Sequence, residues 1–222
     1  MHLDRANLNA PGRVLGCALL VMALATGCTG EARRALELGS QTQSVSGKDG
    51  DKVIAANVVE QPNAYATLSA NAAVGATSIQ VSNIADLGTL AAGDLLLIIQ
   101  MQGATINSAD TTSYGAVTAN GSSGLYELIP VASVAGNIIT LDTTCGGGLK
   151  NAYTVAGKTQ VLRVPQYDNL TINNLGTITA PAWNGSKGGV VALHVKNTVT
   201  LNGTIEASAL GFRGGAAGNQ TL

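Results

Sequence analysis

The sequence predicts an all-β protein, in which a small β-sandwich or barrel is followed by the first rungs of a right-handed parallel β-helix. Apolar residues make up 45% of the 222 residues and charged residues only 11%, the reverse of a disordered chain. From residue 57 onward, short apolar runs alternate with glycine and asparagine, a pattern typical of strands joined by turns. Two similar stretches, which we call the two copies of the repeated phrase, also occur: GTITAPAWNGSKGG from Gly176 and GTIEASALGFRGG from Gly203.

Residues 1–27 predict a signal peptide of the lipoprotein type. Basic residues precede the apolar run VLGCALLVMALA at 14–25, which is shorter than the roughly 20 residues needed to span a bilayer. The sequence ALATGC that ends this run resembles a bacterial lipobox, so we predict export and a lipid on Cys28. The usual motif has Leu where Ala25 stands, and Ala23 and Ala25 form an A-x-A site. Cleavage after Ala25, giving a freely secreted protein, therefore stays an alternative.

Residues 28–56 are predicted to be a flexible tether. The stretch SQTQSVSGKDGDK is polar, contains glycine and has no hydrophobic period. The preceding EARRALEL is long enough for about two helical turns, which are marginal in water without packing.

Residues 57–167 predict the sandwich or barrel module. The run GDLLLIIQM is too apolar for a half-exposed strand, so it is expected to be a central strand buried on both faces. Shorter strands are predicted in TSIQVSN, YELIPVASV, NIITLDT and KTQVLRVPQY, and Pro165 indicates that the last one is an edge strand or ends there. Five or six short strands with frequent turns favour a sandwich or a barrel.

Residues 168–222 predict the start of the β-helix, because the repeated phrase has a period of 27 residues, from Gly176 to Gly203. The stretch LTINNLGTITA at 170–180 parallels VTLNGTIEA at 199–207, and between them Val191, Leu193 and Val195 alternate with other residues to supply a further face. Each copy is expected to be one rung. The competing prediction is an antiparallel sandwich that continues through this part.

A β-helix that stopped near Leu222 would leave a whole rung of backbone and apolar interior uncovered. We therefore expect either that the natural protein continues past Leu222 or that a partner covers the open end.

Charge and the spacing of reactive residues exclude several classes of function. The formal net charge is −1 and no basic run occurs, so a nucleic-acid partner is not expected. Acidic residues are scattered singly, and no pattern ties Cys145 to His194 as nucleophile and base. The sequence predicts no metal site, no cofactor and no catalytic centre.

Carbohydrate contact is the binding role that the sequence suggests. Trp183 could stack on a sugar ring, and Lys187 and Arg213 occupy matching positions in the SKGG and FRGG corners of the two copies. The alternative is structural, with the tryptophan covering a rung corner and both cations solvated.

Six stretches together resemble the N-terminal part of large secreted surface proteins of gliding bacteria, some of them called adventurous gliding-motility proteins. They are YATLSANAAVGATSIQV, GDLLLIIQMQGA, YELIPV, QVLRVPQYDNLTI, WNGSKGGVVAL and GFRGG. The part from GATSIQV to GDLLLIIQM also resembles small β-barrel modules of phage tails and bacterial surface proteins. These resemblances imply an adhesive or motility-related role at the outer surface and supply no catalytic residues.

The predicted function is therefore an exported, lipid-anchored structural or adhesive module at the outer membrane or cell surface. Its expected partners are the membrane, through the lipid, and polysaccharide or other surface proteins. We do not expect an enzyme. The alternative is a fragment of a polysaccharide-degrading β-helix enzyme, whose candidate residues would be Lys187, His194, Lys196, Glu206 and Arg213.

Overall fold

The computed structural model describes residues 47–144 and 146–212, and this part of the chain is all-β, as predicted. Its one short helix is a 3₁₀ helix at Ile84–Leu87, between the fourth and fifth strands. The strands are β1 Gly50–Ile54, β2 Val59–Glu60, β3 Ala64–Thr67, β4 Ser78–Gln80, β5 Leu95–Gln100, β6 Thr105–Ile106, β7 Val117–Ala119, β8 Tyr126–Ala135, β9 Ile138–Leu141, β10 Thr159–Val164, β11 Gln166–Ile172, β12 Thr177–Thr179, β13 His194–Leu201 and β14 Thr204–Glu206.

Six strands form a curled antiparallel sheet in the order β3-β10-β5-β8-β9-β4. The sheet curls until its two edges meet, where Leu68 bridges Val81 and the Ser69 amide donates to the Gln80 carbonyl at 2.9 Å. Strand β5 lies between β10 and β8 and is buried on both faces, which confirms the central strand predicted from GDLLLIIQM. A small two-stranded ribbon, β6 with β7, extends from the sheet.

Side chains on the concave face of this sheet form the larger hydrophobic core. Leu96 and Ile98 of β5 and Val161 of β10 lie there, fully buried. The opposite face carries a second cluster that includes Leu95, Leu97 and other apolar residues of β3 and β10. The antiparallel sheet therefore has a surface against which another part of the chain can pack.

That other part consists of two three-stranded parallel sheets, β1-β11-β13 and β2-β12-β14. We call each strand pair a layer: layer 1 is β1 with β2, layer 2 is β11 with β12, and layer 3 is β13 with β14. Corresponding strands of successive layers lie side by side in parallel.

The antiparallel sheet is an insertion between layer 1 and layer 2. Strand β1 pairs directly with β11, so Ile54 lies opposite Ile172 although more than 100 residues separate them. Strand β1 falls within the predicted tether at 28–56, and β2 falls at the start of the predicted module at 57–167. The sequence did not predict that β1 and β2 form a layer, because Lys52 and Glu60 occupy positions that are apolar in layer 2. The sequence of layer 1 therefore lacks a hydrophobic alternation.

The two copies of the repeated phrase lie next to each other in parallel register. Thr177 is opposite Thr204 and Ile178 is opposite Ile205, an offset of 27 residues. On the other sheet Ile172 is opposite Leu201. The predicted parallel stacking of the copies is confirmed, and the alternative of a continuing antiparallel sandwich is wrong for these strands.

The glycine that opens each copy explains why the phrase repeats. A Cβ at Gly203 would lie 2.2 Å from the carbonyl oxygen of Gly176, and a Cβ at Gly176 would lie 2.9 Å from the carbonyl oxygen of Ala55. The amide after the glycine of the second copy, Thr204 N, donates to Gly176 O at 2.9 Å. Layers 2 and 3 therefore each need a glycine where their turn rests on the backbone of the layer before.

The segment between the copies connects the two cores. Val191, Leu193 and Val195 pack on a cluster inside the layers that contains Ile54, Leu170 and Ile172, which confirms the predicted alternation. Val190 and Ala192, the residues in between, pack on the outer face of the antiparallel sheet. The segment is thus partly buried and packs on a different part of the chain on each side.

Several predicted features lie outside the described residues: the signal peptide at 1–27, residues 28–46 of the tether, Cys28, Cys145 and Arg213. Within the described ranges, no helix has the length and apolar character needed to cross a membrane.

Candidate functional site

The candidate site lies at the corner between layer 2 and layer 3, in residues 181–189, which we call the corner loop. Asn184 shapes this loop, because its Oδ1 accepts hydrogen bonds from the amides of Ser186 and Lys187, both at 3.0 Å. The Gly189 amide closes the loop by donating to the Pro181 carbonyl at 2.7 Å. An asparagine side chain that accepts from amides two and three residues ahead is a common way of fixing such a turn.

Three side chains, two in the antiparallel sheet and one directly before it, hold the backbone that leaves the loop. Gln160 Oε1 accepts from the Gly188 amide at 2.9 Å, and the Tyr65 hydroxyl donates to the Val190 carbonyl at 2.6 Å. Asn63 exchanges two hydrogen bonds with Ala192, at 2.9 and 2.7 Å. All three side chains belong to buried residues, so these bonds are at least partly shielded from water and position the loop.

Lys187 connects the loop to the 3₁₀ helix. Its Nζ donates to Asp86 Oδ2 at 2.6 Å and to the Tyr65 carbonyl at 2.9 Å. The hydrogen bond from Lys187 is the largest of the influences that lower the pKa of Asp86, and Asn83 adds a second hydrogen bond to the same carboxylate. Lys187 is therefore half-buried and paired.

Trp183 and Phe212 form an aromatic pair at the corners of successive layers. Their ring centroids lie 5.4 Å apart with an interplanar angle of 69°, an edge-to-face arrangement. The Trp183 amide donates to the Leu210 carbonyl at 2.8 Å, which fixes the backbone of the tryptophan against layer 3. Trp183 is half-buried and Phe212 is 40% exposed, so part of this aromatic surface faces solvent.

A cleft of about 290 Å³ is lined by Ala182 and Asn184, the residues before and after Trp183 in the chain, whereas the rings of Trp183 and Phe212 do not line it. Its other walls carry the carboxylate of Asp86, the ammonium of Lys187 and the side chain of Tyr65. The cleft thus combines hydrogen-bond donors and acceptors in a rigid frame.

The structure brings together two of the residues predicted to contact carbohydrate, Trp183 and Lys187. Sequence reasoning did not single out Asp86, Asn184 or Tyr65. The Asn-x-Ser pattern at Asn184 marks a turn, but the Lys187–Asp86 pair spans 101 residues, and no local signal links its two members.

A second charged cluster joins the start of layer 1 to the antiparallel sheet. Asp94 is buried, and burial opposes its ionisation. Hydrogen bonds from Lys48 and from the Ala91 amide, with the charge of Arg163, outweigh that effect and lower its pKa. Arg163 also pairs with Asp49 at 2.7 Å. Asp94, the aspartate at the start of GDLLLIIQM, is therefore a structural anchor.

The other residues considered for catalysis do not share interaction partners. Lys196 Nζ lies 3.7 Å from Asp168 Oδ1, and Glu206 accepts a hydrogen bond from the Ser208 amide at 2.9 Å. His194 lines an apolar groove, and its buried Nδ1 has no hydrogen-bond partner among the described residues. Burial lowers the pKa of His194. Within residues 47–144 and 146–212, no three metal-binding side chains of the His, Cys, Asp or Glu type cluster together.

The similarity between this chain and known proteins is structural and distant. No protein-family model and no curated protein matches the chain. The gp54 tailspike of Acinetobacter baumannii bacteriophage AP22, solved in complex with a capsular saccharide, is similar with a TM-score of 0.30 at 13% identity, over 70% of this chain and 26% of that one. The gp61 tailspike of Pseudomonas phage phi297 gives a TM-score of 0.31 at 11% identity, over 70% and 23% of the two chains. The gp49 tailspike of Pseudomonas phage LKA1 gives 0.29 at 15% identity, over 60% and 27%. The chain thus spans about a quarter of the length of these tailspikes.

Proposed function

We propose that this protein is a structural and adhesive module of the bacterial cell surface. A role in motility is proposed only from the resemblance to the surface proteins of gliding bacteria. Its three layers are the beginning of a right-handed parallel β-helix, an arrangement supported by the parallel strand pairs at offsets of 27 to 29 residues between layers 2 and 3. The inserted antiparallel sheet braces these layers.

The corner loop is the surface through which the module contacts polysaccharide. The observation that carries this proposal is that one loop supplies both Trp183, which pairs with Phe212, and the chain neighbours of Trp183, Ala182 and Asn184, which line the cleft with Asp86 and Lys187. Sugars bind to proteins through ring faces that stack on aromatic side chains and through hydroxyls that pair with polar groups. The loop provides both in a preorganised frame.

Binding can be tested by affinity electrophoresis in gels that contain single bacterial polysaccharides, neutral and uronic-acid-containing. We expect one class to retard the wild-type protein and the Trp183→Ala variant to lose at least tenfold in affinity. Tyr114→Ala is the matched control, because Tyr114 is an exposed aromatic residue, 70% accessible, in the β6–β7 connection. No retardation by any polysaccharide, or equal losses in both variants, would refute carbohydrate contact at the corner loop.

Anchoring through Cys28 is a separate part of the proposal, supported by the ALATGC sequence alone. Intact mass of the protein extracted from bacterial membranes tests it, beside a Cys28→Ala control. A mass that begins at Cys28 and includes diacylglycerol and an acyl chain, lost in the control, is expected. An unmodified mass beginning at Thr26 would contradict anchoring and favour free secretion.

The alternative of a polysaccharide-degrading enzyme has less support from the described residues. A general acid needs a raised pKa, whereas the pKa of Asp86, the carboxylate in the cleft, is lowered by Lys187. Assay of the purified protein for release of reducing ends or unsaturated uronates from the same polysaccharides distinguishes the two functions.

A further inference from the structure

The cleft at the corner loop carries no net charge. Seven residues line it, and only Asp86, Lys187 and Tyr65 among them have side chains that ionise. Asp86 and Lys187 are charged at neutral pH, with opposite signs. Burial raises the pKa of Tyr65 to about 12, so its hydroxyl stays protonated. A ligand in the cleft therefore meets one ion pair, whose Nζ and Oδ2 lie 2.6 Å apart, and no unbalanced charge.

The two members of this ion pair keep part of their hydrogen-bonding capacity. The Lys187 ammonium has three N–H groups, of which one donates to Asp86 and one to the Tyr65 carbonyl. Asp86 accepts from Lys187 at Oδ2 and from Asn83 at Oδ1, which leaves further lone pairs on both oxygens. The side chains of Lys187 and Asp86 are 31% and 32% exposed, so a ligand can reach one donor and several acceptor positions.

Asn184 adds two uncharged donors to the cleft. Its Oδ1 accepts from the amides of Ser186 and Lys187, which occupies both lone pairs of this oxygen. Because backbone amides can only donate, these two bonds also identify which side-chain atom is the oxygen and which is the nitrogen. Among the described residues, Asn184 Nδ2 has no hydrogen-bond partner, and the residue is exposed. Its two N–H groups are therefore available to a ligand.

We infer that the cleft selects neutral polysaccharide over uronic-acid polysaccharide, an inference that rests on the proposed contact between the corner loop and polysaccharide. A sugar hydroxyl both donates and accepts, so one hydroxyl can donate to Asp86 and accept from Asn184 or Lys187. A uronate carboxylate can only accept. It would be repelled by the Asp86 carboxylate and would have to compete with Asp86 for the Lys187 ammonium. Asp86 is thus the residue that excludes acidic sugars.

Affinity electrophoresis of the full chain with matched polymers tests this selectivity. Alginate and polygalacturonate are the acidic probes. The neutral probes are the same two polymers after reduction of their carboxylates to hydroxymethyl groups, together with dextran and levan. We expect the wild-type protein to bind a neutral probe at least tenfold more tightly than any acidic one. In Asp86→Asn, which leaves Lys187 without its counter-charge, the affinity for an acidic probe should rise at least tenfold.

Asp110→Asn is the matched control, because it removes the same charge at an exposed position in the β6–β7 connection, outside the cleft. Circular dichroism and the melting temperature report folding, and Asp86→Ser replaces Asp86→Asn should the latter not fold. Three results would overturn the inference and leave the proposed carbohydrate contact standing: acidic probes that bind the wild-type protein as tightly as neutral ones, no gain in Asp86→Asn, or equal gains in both variants. Retardation by no polysaccharide would instead refute the proposed contact, and this inference with it.

Discussion

Asn63 and Ala192 exchange two hydrogen bonds although they lie 129 residues apart: Asn63 Oδ1 accepts from the Ala192 amide at 2.9 Å, and Nδ2 donates to the Ala192 carbonyl at 2.7 Å. The same Nδ2 also donates to the Arg163 carbonyl at 3.0 Å. Asn63 precedes the antiparallel sheet and Ala192 precedes layer 3. A single buried side chain therefore ties the insertion to the layer that follows the corner loop.

Replacing Asn63 with alanine should destabilise the protein by about 1–3 kcal/mol, because the amide and carbonyl of Ala192 would lose their partner inside the protein. Urea denaturation measures the loss. The control is Asn197→Ala, an exposed position on β13, which should change the free energy of unfolding by less than about 0.5 kcal/mol. Equal effects of the two substitutions would show that Asn63 does not secure this junction.

A methyl group at Gly203 should push layer 3 away from layer 2. The Gly203→Ala variant places Cβ against the Gly176 carbonyl, so we expect a loss of about 1–3 kcal/mol and faster amide exchange at Thr204. Gly211→Ala is the matched control, since a Cβ there meets no atom within 4 Å. Unchanged exchange at Thr204 in Gly203→Ala would argue against the close contact between layers.

Removing the charge of Lys187 should raise the pKa of Asp86. The folded protein holds this pKa below its ordinary value of 3.8, so the associated stability is present above that pH and is lost as the pH falls through the lower folded value. In Lys187→Met the pKa should move back toward 3.8, as followed by the ¹³C shift of the carboxyl carbon. Lys158→Met should leave it unchanged. A pKa that stays low in Lys187→Met would mean that another group holds the carboxylate.

Stability should fall in mild acid because of His194. Burial lowers the pKa of this imidazole below 6.5, so the unfolded chain takes up a proton first as the pH decreases. The free energy of unfolding should therefore decline below about pH 6.5, and the decline should be smaller in His194→Gln. Urea midpoints between pH 7.5 and 5 measure it. The pKa values of Asp86, Asp94 and Asp142 are lowered, so the stability that these carboxylates contribute is lost only at lower pH. Parallel pH profiles for the two proteins would contradict this assignment.

The features that could be predicted from the sequence are those with a local pattern. Strand β5 follows from the apolar run LLLII, and the register between layers 2 and 3 follows from the repeated phrase. Layer 1 could not be predicted, because Lys52 and Glu60 replace the apolar residues and its strand partner lies beyond the whole insertion. The insertion itself has no signal, since Ile54 and Ile172 are neighbours only in the folded chain.

Within the candidate site, the same limit applies. Trp183 and Lys187 share one short loop and could be linked from the sequence. Two contacts depend on how the antiparallel sheet docks on the layers: the ion pair of Lys187 with Asp86 and the hydrogen bond from the Tyr65 hydroxyl to the Val190 carbonyl. No spacing in the chain encodes that docking.

The register between layers 2 and 3 fixes the position of the corner loop and of the aromatic pair. Disulfide trapping tests it directly, in a chain whose Cys17, Cys28 and Cys145 are replaced by serine. Thr171 and Thr200 are opposite each other, whereas Thr198 is opposite Asn169, one side-chain position further along the same face. Neighbouring strands lie about 4.8 Å apart, within the reach of a disulfide, and a shift of two residues exceeds it.

We predict that Thr171→Cys with Thr200→Cys cross-links rapidly under mild oxidation, and that Thr171→Cys with Thr198→Cys does so far more slowly. Cross-linking of the second pair as fast as the first, or of the second pair alone, would contradict the stacking of the layers.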